Sequence, residues 1–310
     1  MIEVAVIGDG QLARGVAAQL AERSDLRVVG PTPRDGIAAA LDAGTRVVVI
    51  ATTTRLADIA HHIEAAVLAG SNVIVSAEEC AYPWAVDRVV ADRLDTLARE
   101  RGVTILGCGL NPGFVFDALV LTLLGTGGLP TGISVERTVD LSGFGPTVRG
   151  RLGLGVSSTD FAAGIESARI LGHAGFPQSM SIVADALNVE IDNITTHIEP
   201  TLVDDNTVGF IQEYVAIVGG LPWFRARFIG HLSPAAAGLV VRDTIEITSR
   251  DTPLTCTIEP GIGSQSGSQS LIANSIDRVV AAPSGWLTVA ELEPAHPRFI
   301  SEHPARTSIS

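Results

Sequence analysis

Basic residues and cysteines are scarce in this sequence, and long hydrophobic runs are missing. The 310 residues include 21 Lys and Arg against 34 Asp and Glu, which gives a net charge of −13. This charge argues against a nucleic-acid partner, because binding to phosphates needs a basic surface. The three cysteines are scattered, so they form neither a disulfide framework nor a zinc site, and we expect no bound metal.

No apolar run approaches the ~20 residues that a membrane-spanning helix needs. The N-terminus leads directly into an apolar strand at residues 2–7, without the features of a signal peptide. With 46% hydrophobic residues, the chain can fill the core of one large domain or of two ordinary ones. We therefore expect a cytoplasmic protein with no membrane partner.

The first third of the sequence alternates between short β-branched runs and amphipathic helical stretches. Strands that are apolar on both faces and alternate with helices are typical of a parallel sheet with helices on both sides. The pattern predicts an α/β fold with an N-terminal, doubly wound parallel sheet of the Rossmann type. Its strands are predicted at residues 2–7, 26–29, 46–51, 72–76 and 103–106.

The motif Gly8-x-Gly10-x-x-Ala13 lies between the first predicted strand and a helix predicted over residues 12–23. The first glycine of such a motif permits a tight turn, and the second lets a pyrophosphate approach the backbone. The small third residue allows helix and strand to pack closely, and the helix N-terminus attracts the anion. The motif predicts dinucleotide binding by Gly8, Gly10, Gln11, Leu12 and Ala13.

The end of the second strand indicates which dinucleotide is bound. A carboxylate there holds the ribose hydroxyls of NAD, whereas an Arg suits the 2′-phosphate of NADP. No carboxylate precedes Asp35, so Thr32 and Arg34 favour NADP. Asp35 is close enough to keep NAD open, and the alternative for Arg34 is an ordinary surface position.

Small and hydroxyl side chains follow the third strand, at Ala51, Thr52 and Thr53. In doubly wound sheets, ligands bind at the carboxyl ends of central strands. We expect these three residues to line the ribose and the nicotinamide of the cofactor. An alternative or additional role is N-capping of a helix that starts at Leu56.

Two adjacent carboxylates, Glu78 and Glu79, follow the fourth strand and precede a Tyr-Pro-Trp corner. A carboxylate at this edge of the sheet can act as a general acid or base if apolar neighbours raise its pKa. Both are candidate catalytic residues. The alternative is that they only complement the positive N-terminus of the following helix.

A glycine-rich loop at residues 107–114 follows the fifth strand. Its glycines permit close approach of a ligand, Asn111 can hydrogen-bond a carboxamide or a substrate group, and Pro112 can start the next helix. Asn111 and Pro112 complete the predicted cofactor-binding set, although Asn111 is also a candidate N-cap. Cys108 has no histidine near it in sequence and is interpreted as a buried, unreactive thiol.

From about residue 125 the pattern changes to alternating strands, which predict a second, α+β domain with a mainly antiparallel sheet. We expect the dinucleotide-binding domain at residues 1–125, with residues 270–300 returning to it. The substrate-binding and dimerisation domain is expected at residues 126–269. The Gly/Ser/Gln stretch at residues 263–270 is interpreted as low-complexity, and a helix is predicted over residues 271–280.

Several strings, spread in order over nearly the whole chain, together resemble one family. They include Ala77-Glu78-Glu79-x-Ala81-Tyr82-Pro83-Trp84, Gly107-x-Gly109-x-Asn111-Pro112-Gly113-Phe114, Phe144-Gly145-Pro146-Thr147-Val148 and Gly172-His173-x-Gly175-Phe176-Pro177. In these strings the sequence resembles the 2,4-diaminopentanoate dehydrogenases and the related native amine dehydrogenases, which have a dihydrodipicolinate-reductase-like N-terminal domain. It departs from them in the short segment after the second strand and at residues 264–270.

The resemblance implies NAD(P)-dependent oxidative deamination of an amine or diamino acid and, in reverse, reductive amination of a ketone or aldehyde with ammonia. It also implies a homodimer paired through the second-domain sheet, and a catalytic Glu from the loop that matches Glu78-Glu79. Two rivals stay open. One is an NADPH-dependent reductase of a C=N bond on the same scaffold, and the other is an NADP-binding sensor without turnover.

The substrate pocket is predicted to be modestly apolar, because aromatic residues recur in the matching strings and in nearby strands around Tyr214 and Trp223. For His173, a role in capping or in the core is favoured over catalysis. Candidate partners for a substrate carboxylate are Arg137, Arg149 and Arg151. The predicted substrate-binding residues are Tyr82, Phe114, Phe144, Thr147, His173 and Phe176.

Overall fold

Six parallel strands form the first of two sheets in the computed structural model, which describes residues 1–42 and 44–298. The strands are β1 (Ile2–Ile7), β2 (Leu26–Thr32), β3 (Val47–Ile50), β4 (Asn72–Val75), β5 (Thr104–Gly107) and β12 (Gly285–Leu287). Their order across the sheet is β12-β5-β4-β3-β1-β2. Every residue of β3, β4 and β5 is buried, because helices cover both faces.

The helices of this half are α1 (Gln11–Ala21), α2 (Ile37–Asp42), α3 (Ala60–Leu68) and α4 (Arg88–Arg101). Local interactions explain where helix α4 begins and ends. The Asp87 carboxylate caps it by accepting from the Val90 N–H (3.0 Å), and Gly102 ends it in the left-handed conformation. Its buried residues Ala91, Leu94 and Ala98 recur at helical spacing and face the sheet.

The second sheet contains β6 (Gly132–Asp140), β7 (Asn193–Val203), β8 (Asn206–Val218), β9 (Leu221–His231), β10 (Arg242–Thr248) and β11 (Leu254–Ile258). The order is β11-β10-β6-β9-β8-β7, and all neighbours are antiparallel except β6 and β9. This confirms the predicted fold class, a parallel sheet with a second, mainly antiparallel one. Strand β11 was not predicted.

Helices cover one face of the second sheet: α5 (Ala118–Leu124), α6 (Pro146–Arg151), α7 (Ser158–Glu166) and α8 (Phe176–Ala186). The core lies between them and the strands, and Phe116, Phe176, Phe210 and Phe224 are fully buried in it. None of these four helices covers the opposite face of the sheet.

The stretch interpreted as low-complexity is helical. Helix α9 (Ser264–Ala273) spans it, and α10 (Ile276–Ala281) follows after a break at residues 274–275. Helix α9 packs on α1, where the Gln269 side chain occupies the space left by Gly15. This helix was not predicted because its polar sequence has no apolar stripe. Tertiary packing stabilises it instead.

In the described part of the chain, five short 3₁₀ turns complete the architecture, at Arg34–Gly36, Glu78–Ala81, Pro83–Ala85, Ala235–Ala237 and Val289–Glu291. Within residues 1–42 and 44–298, no helix is long and apolar enough to cross a membrane.

Candidate active site

A cleft of about 500 Å³ opens where the carboxyl ends of β1, β3, β4 and β5 meet the helical side of the second sheet, and α9 contributes to its wall. Ligands bind at this edge in doubly wound sheets. The structure brings most of the predicted residues together here. Those that line the cleft are Gly10, Gln11, Leu12, Ala51, Thr52, Thr53, Glu78, Asn111, Pro112, Phe144, Thr147 and His173.

The two glycines in the turn between β1 and α1 have different roles. Gly8 has a φ of +128°, and a Cβ atom on it would lie 2.3 Å from the Ala51 carbonyl oxygen. Gly8 therefore allows the close approach of the turn to the end of β3. Gly10 lines the cleft with open space around its Cα, whereas Ala13 is fully buried beneath the turn.

Two buried hydroxyls lie at or just after the carboxyl ends of β2 and β3, where the ribose of a dinucleotide is expected. The hydroxyl oxygens of Thr32 and Thr52 are buried and lack a hydrogen-bond partner in the described ranges. Arg34 is exposed, and its Nη2 donates to the Thr52 carbonyl (3.2 Å). Because buried hydroxyls are normally hydrogen-bonded, these residues fit a polar ligand that supplies the missing partners.

Glu78 and Glu79 lie side by side in sequence but have different surroundings. The Glu79 Oε2 accepts a hydrogen bond from the Leu56 backbone N–H (2.7 Å), so this carboxylate holds the loop after β3. That bond, and the start of α3 at Ala60, make the predicted N-cap of a helix at Leu56 wrong. Glu78 lines the cleft, and burial raises the pKa of its carboxyl despite the nearby charge of Arg151.

The loop that carries Asn111 and Pro112 is held by a buried carboxylate. Asp117 accepts hydrogen bonds from Gly113 N (2.8 Å), Ala118 N (2.6 Å) and Ser179 Oγ (2.7 Å), and burial raises the pKa of its carboxyl. Asp117 therefore caps α5. The alternative that Asn111 is the N-cap, and the expectation that Pro112 starts the helix, are both wrong for this reason.

His173 lies in a loop between α7 and α8 and lines the cleft opposite the parallel sheet. Its ring centroid is 4.8 Å from that of Phe176 and 4.7 Å from that of Phe228. Burial, with the charge of Arg137 nearby, lowers the pKa of His173 to about 3, so the imidazole is neutral at physiological pH. Its Nδ1 is buried without a partner in the part of the chain described.

Three of the predicted substrate-binding residues lie outside the cleft lining. Phe176 packs behind His173, and Tyr82 packs edge-on against Trp84 with a centroid distance of 5.5 Å. Phe114 lines a separate cavity of about 240 Å³ together with Cys108 and Arg278. Cys108 is buried, and burial raises the pKa of its thiol to about 11, in line with an unreactive cysteine.

The three arginines predicted to bind a substrate carboxylate lie in different environments. Arg137 is fully buried in an ion pair with Asp243 (2.6 Å). Arg149 donates to the Ser142 carbonyl. Arg151, at the end of α6, lines the cleft and is the only cation among the lining residues described.

Helix α9 contributes Ser264, Gln265 and Ser268 to the cleft lining, which was not predicted. These three positions are polar like their neighbours, so no periodicity in the sequence marked them as one face of a helix. Ser268 Oγ accepts from the Leu110 N–H (3.1 Å), and Gln269 Nε2 donates to the Gln11 carbonyl (3.3 Å). Helix α9 is thus hydrogen-bonded to the loop after β5 and to the start of α1.

The predicted absence of metal is not decided by the geometry. Across residues 1–42 and 44–298, no group of three or more His, Cys, Asp or Glu side chains is arranged to hold a metal ion.

Comparison with known proteins gives a curated relative, solved structures of similar fold and a family model. A curated 2,4-diaminopentanoate dehydrogenase from Acetoanaerobium sticklandii is 27% identical over 94% of this chain and 93% of that protein. An amine dehydrogenase from Mycobacterium smegmatis has the same fold, with a TM-score of 0.82, 19% identity, and coverage of 96% of this chain and 97% of that one. Biliverdin reductase from Synechocystis sp. PCC 6803, solved with biliverdin and NADP⁺, gives a TM-score of 0.50 at 12% identity over 89% and 90% of the two chains.

The family model for the 2,4-diaminopentanoate dehydrogenase C-terminal domain matches residues 114–305, which is more than half of the chain. It confirms the resemblance drawn from the sequence strings and, with it, the prediction of an oxidoreductase of the dehydrogenase type. The chain therefore belongs to the 2,4-diaminopentanoate dehydrogenase family.

Proposed function

We propose that this protein is an NADP-preferring amine dehydrogenase. It oxidatively deaminates an amine or diamino acid and, in reverse, aminates a ketone or aldehyde with ammonia. The observation that carries the proposal is that Glu78, the one carboxylate among the cleft-lining residues described, shares the cleft with Gly10 of the dinucleotide motif and with the apolar Phe144 and Phe228. The direct test is to follow NADPH oxidation by carbonyl compounds with and without ammonium.

The cleft residues fit a nicotinamide dinucleotide. Gly10 leaves room for a pyrophosphate at the N-terminus of α1, and the buried Thr32 and Thr52 hydroxyls offer polar contacts for a ribose. Biliverdin reductase, which has a related fold, was solved with NADP⁺. When bound, the nicotinamide takes up or supplies the hydride.

Glu78 performs the proton transfers in this scheme. Its deprotonated carboxylate binds the substrate ammonium and takes one proton from nitrogen, which leaves a neutral amine with a lone pair that can assist loss of hydride from carbon. Loss of hydride from the neutral amine gives an iminium ion, and Glu78 releases its proton to solvent. Glu78 then takes a proton from the water that adds to the iminium carbon, returns it to the nitrogen of the carbinolamine, and takes the hydroxyl proton as ammonia leaves. His173 stays neutral, so it places no positive charge against the substrate ammonium.

The presence of Arg151 in the cleft favours a substrate that carries an anionic group in addition to its amine. Together with Glu78, Arg151 gives the cleft one anion and one cation, and the apolar Phe144 and Phe228 also line the cleft. A guanidinium binds a carboxylate through two parallel hydrogen bonds. An amino acid, with its amine at Glu78 and its carboxylate at Arg151, therefore fits the charges of the cleft better than a simple amine does.

Replacing Arg151 by Gln tests this assignment. We expect KM for amino-acid or keto-acid substrates to rise about 10- to 100-fold, because a charge-assisted hydrogen bond is lost. KM for neutral amines and ketones should change little. Arg149→Gln is the matched control, since Arg149 lies on the same helix but donates to the Ser142 carbonyl. Equal effects of Arg151→Gln on charged and neutral substrates would contradict the assignment.

Arg34 is proposed to recognise the 2′-phosphate of NADP, because it lies just after β2 and is anchored on the Thr52 carbonyl. Arg34→Ala should weaken NADPH binding about 10- to 100-fold and NADH binding much less. Fluorescence titration of both cofactors measures this, with Arg27→Ala as control because Arg27 pairs with Glu3 near the start of the same strand. An equal loss for both cofactors would mean that Arg34 does not select NADP.

A homodimer is part of the proposal, and the outer face of the second sheet is its expected interface. Ile211, Val215 and Ile217 alternate along β8 with residues of the core, so they point away from the covering helices. The same face carries the ion pairs Arg225–Glu213 and Arg227–Glu136. Apolar side chains on a sheet face that no helix covers favour a covering partner, and ion pairs beside them are compatible with an interface between two copies of the chain. Light scattering coupled to size exclusion gives the mass in solution.

A further inference from the structure

Arg137 is a buried residue of β6 that the proton transfers above do not use. Its Nη1 donates to Asp243 Oδ1 on β10 (2.6 Å), and each side chain is 1% exposed. Its Nη2 donates to the Ile262 carbonyl and to Ser264 Oγ (3.2 Å), at the start of α9. The second Asp243 oxygen accepts from the Ile262 N–H (2.9 Å). The ion pair therefore binds both backbone polar groups of the residue that leads into α9.

The remaining donor of Arg137, Nε, faces Asn111. The neighbours of Asn111 fix the orientation of its amide, because Arg137 Nε can only donate and the Leu110 carbonyl can only accept. Asn111 Oδ1 therefore accepts from Arg137 Nε (3.2 Å), and Nδ2 donates to the Leu110 carbonyl. Nδ2 keeps a second hydrogen, which Asn111 can donate into the cleft that it lines.

We infer that Arg137 is a positioning residue for the cofactor, because it holds Asn111 as a hydrogen-bond donor to the nicotinamide carboxamide and holds the first turn of α9 against the dinucleotide. The inference rests on the proposed function, since the ligand is the cofactor named there. A planar guanidinium suits this task, because its donors point in fixed directions to three separate segments. A lysine beside Asp243 would keep the charge but could not reach all of these acceptors.

A buried ion pair is by itself weak evidence for a stabilising role, since desolvation offsets much of its attraction. The contacts of Arg137 favour positioning instead. Its partners outside the sheet are Asn111, Ile262 and Ser264, and both Asn111 and Ser264 line the cleft. Arg227, on the adjacent strand β9, pairs only with Glu136 among the residues described, is 39% exposed, and provides a matched comparison.

A double-mutant cycle between Arg137 and Asn111 tests the inference. The variants are Arg137→Lys, Asn111→Ala and the combination, and the readouts are the Kd of NADPH by fluorescence titration and the Tm. We expect each single variant to weaken NADPH binding on the order of tenfold, and the double variant to be no weaker than either. Arg227→Lys should leave the Kd unchanged.

Multiplicative effects in the double variant, or an Arg137→Lys protein with lower Tm but unchanged Kd, would overturn the inference. If Arg137→Lys does not fold, Asn111→Asp takes its place, because Asp keeps the acceptor for Arg137 Nε but has no N–H to donate. Asn111→Asp should then weaken NADPH binding as Asn111→Ala does, and wild-type affinity in both would overturn the inference. Wild-type protein that binds neither NADPH nor NADH would instead overturn the proposed function.

Discussion

Glu78→Gln is expected to lower the rate of amine oxidation about 10²- to 10⁴-fold, the range for loss of a positioned general base. Gln has nearly the same shape as Glu but cannot take a proton from the substrate ammonium. NADPH binding should stay close to wild type, because the proposed function places Glu78 at the substrate amine, with the charge of Arg151 nearby, and not at the cofactor. Steady-state rates with a saturating amine, together with NADPH titration, measure the two effects.

Glu79→Gln is the matched control for this prediction. Its Oε1 can still accept the hydrogen bond that Glu79 receives from the Leu56 N–H, so the loop after β3 should keep its position. We expect a rate within a few-fold of wild type. A large loss in Glu79→Gln with a normal rate in Glu78→Gln would exchange the two roles, and normal rates in both would remove carboxylate catalysis from this loop.

The pH dependence of the same assay adds an independent test of Glu78. Because burial raises the pKa of its carboxyl, the base form appears at higher pH than for an ordinary Glu. kcat/KM for amine oxidation should therefore rise with pH through a limb that lies above the usual carboxyl range. That limb should be missing in Glu78→Gln.

Gly8→Ala and Gly10→Ala are expected to fail in different ways. At Gly8, a Cβ would lie 2.3 Å from the Ala51 carbonyl oxygen, and the φ of +128° is unfavourable for any L side chain. Strain and overpacking together should reduce the free energy of unfolding by about 3 kcal/mol or more. At Gly10, φ is −75° and a Cβ meets nothing within 4 Å, so the free energy of unfolding should fall by about 1 kcal/mol at most, the cost of alanine at a helix N-cap.

The Gly10 variant should instead lose cofactor affinity, because its methyl group enters the space expected for the pyrophosphate. Urea unfolding of both variants and NADPH titration of Gly10→Ala separate the two functions of the motif. A stable Gly8→Ala protein would mean that the turn can move away from β3. A Gly10→Ala protein with wild-type NADPH affinity would place the dinucleotide elsewhere.

The sequence was most informative where local pattern determines structure. The run at residues 2–7, the Gly8-x-Gly10-x-x-Ala13 turn and the following helix are set by short-range sterics, so their order was predictable. The roles of the two adjacent carboxylates could not be distinguished from local pattern. Glu78 and Glu79 follow the same strand, and only the hydrogen bond from Leu56, a tertiary contact, separates the one that lines the cleft from its neighbour.

Long-range contacts also explain the other unpredicted features. Arg137, Arg149 and Arg151 look alike in sequence, yet an ion pair with Asp243 buries the first and only the third lines the cleft. Helix α9 lacks an apolar stripe, and it forms where Gln269 packs at Gly15 and Ser268 bonds Leu110. No periodicity within residues 264–270 carries that information.

The most direct test of the account is a steady-state assay of NADPH oxidation with a panel of keto acids, ketones and aldehydes, in the presence and absence of ammonium. The account predicts oxidation that requires ammonium, is faster with NADPH than with NADH, and is lost in Glu78→Gln. Oxidation that proceeds equally without ammonium would contradict it and indicate a reductase of carbonyl or C=N bonds. NADPH binding without oxidation of any substrate in the panel would also contradict it, in favour of a cofactor-binding protein without this turnover.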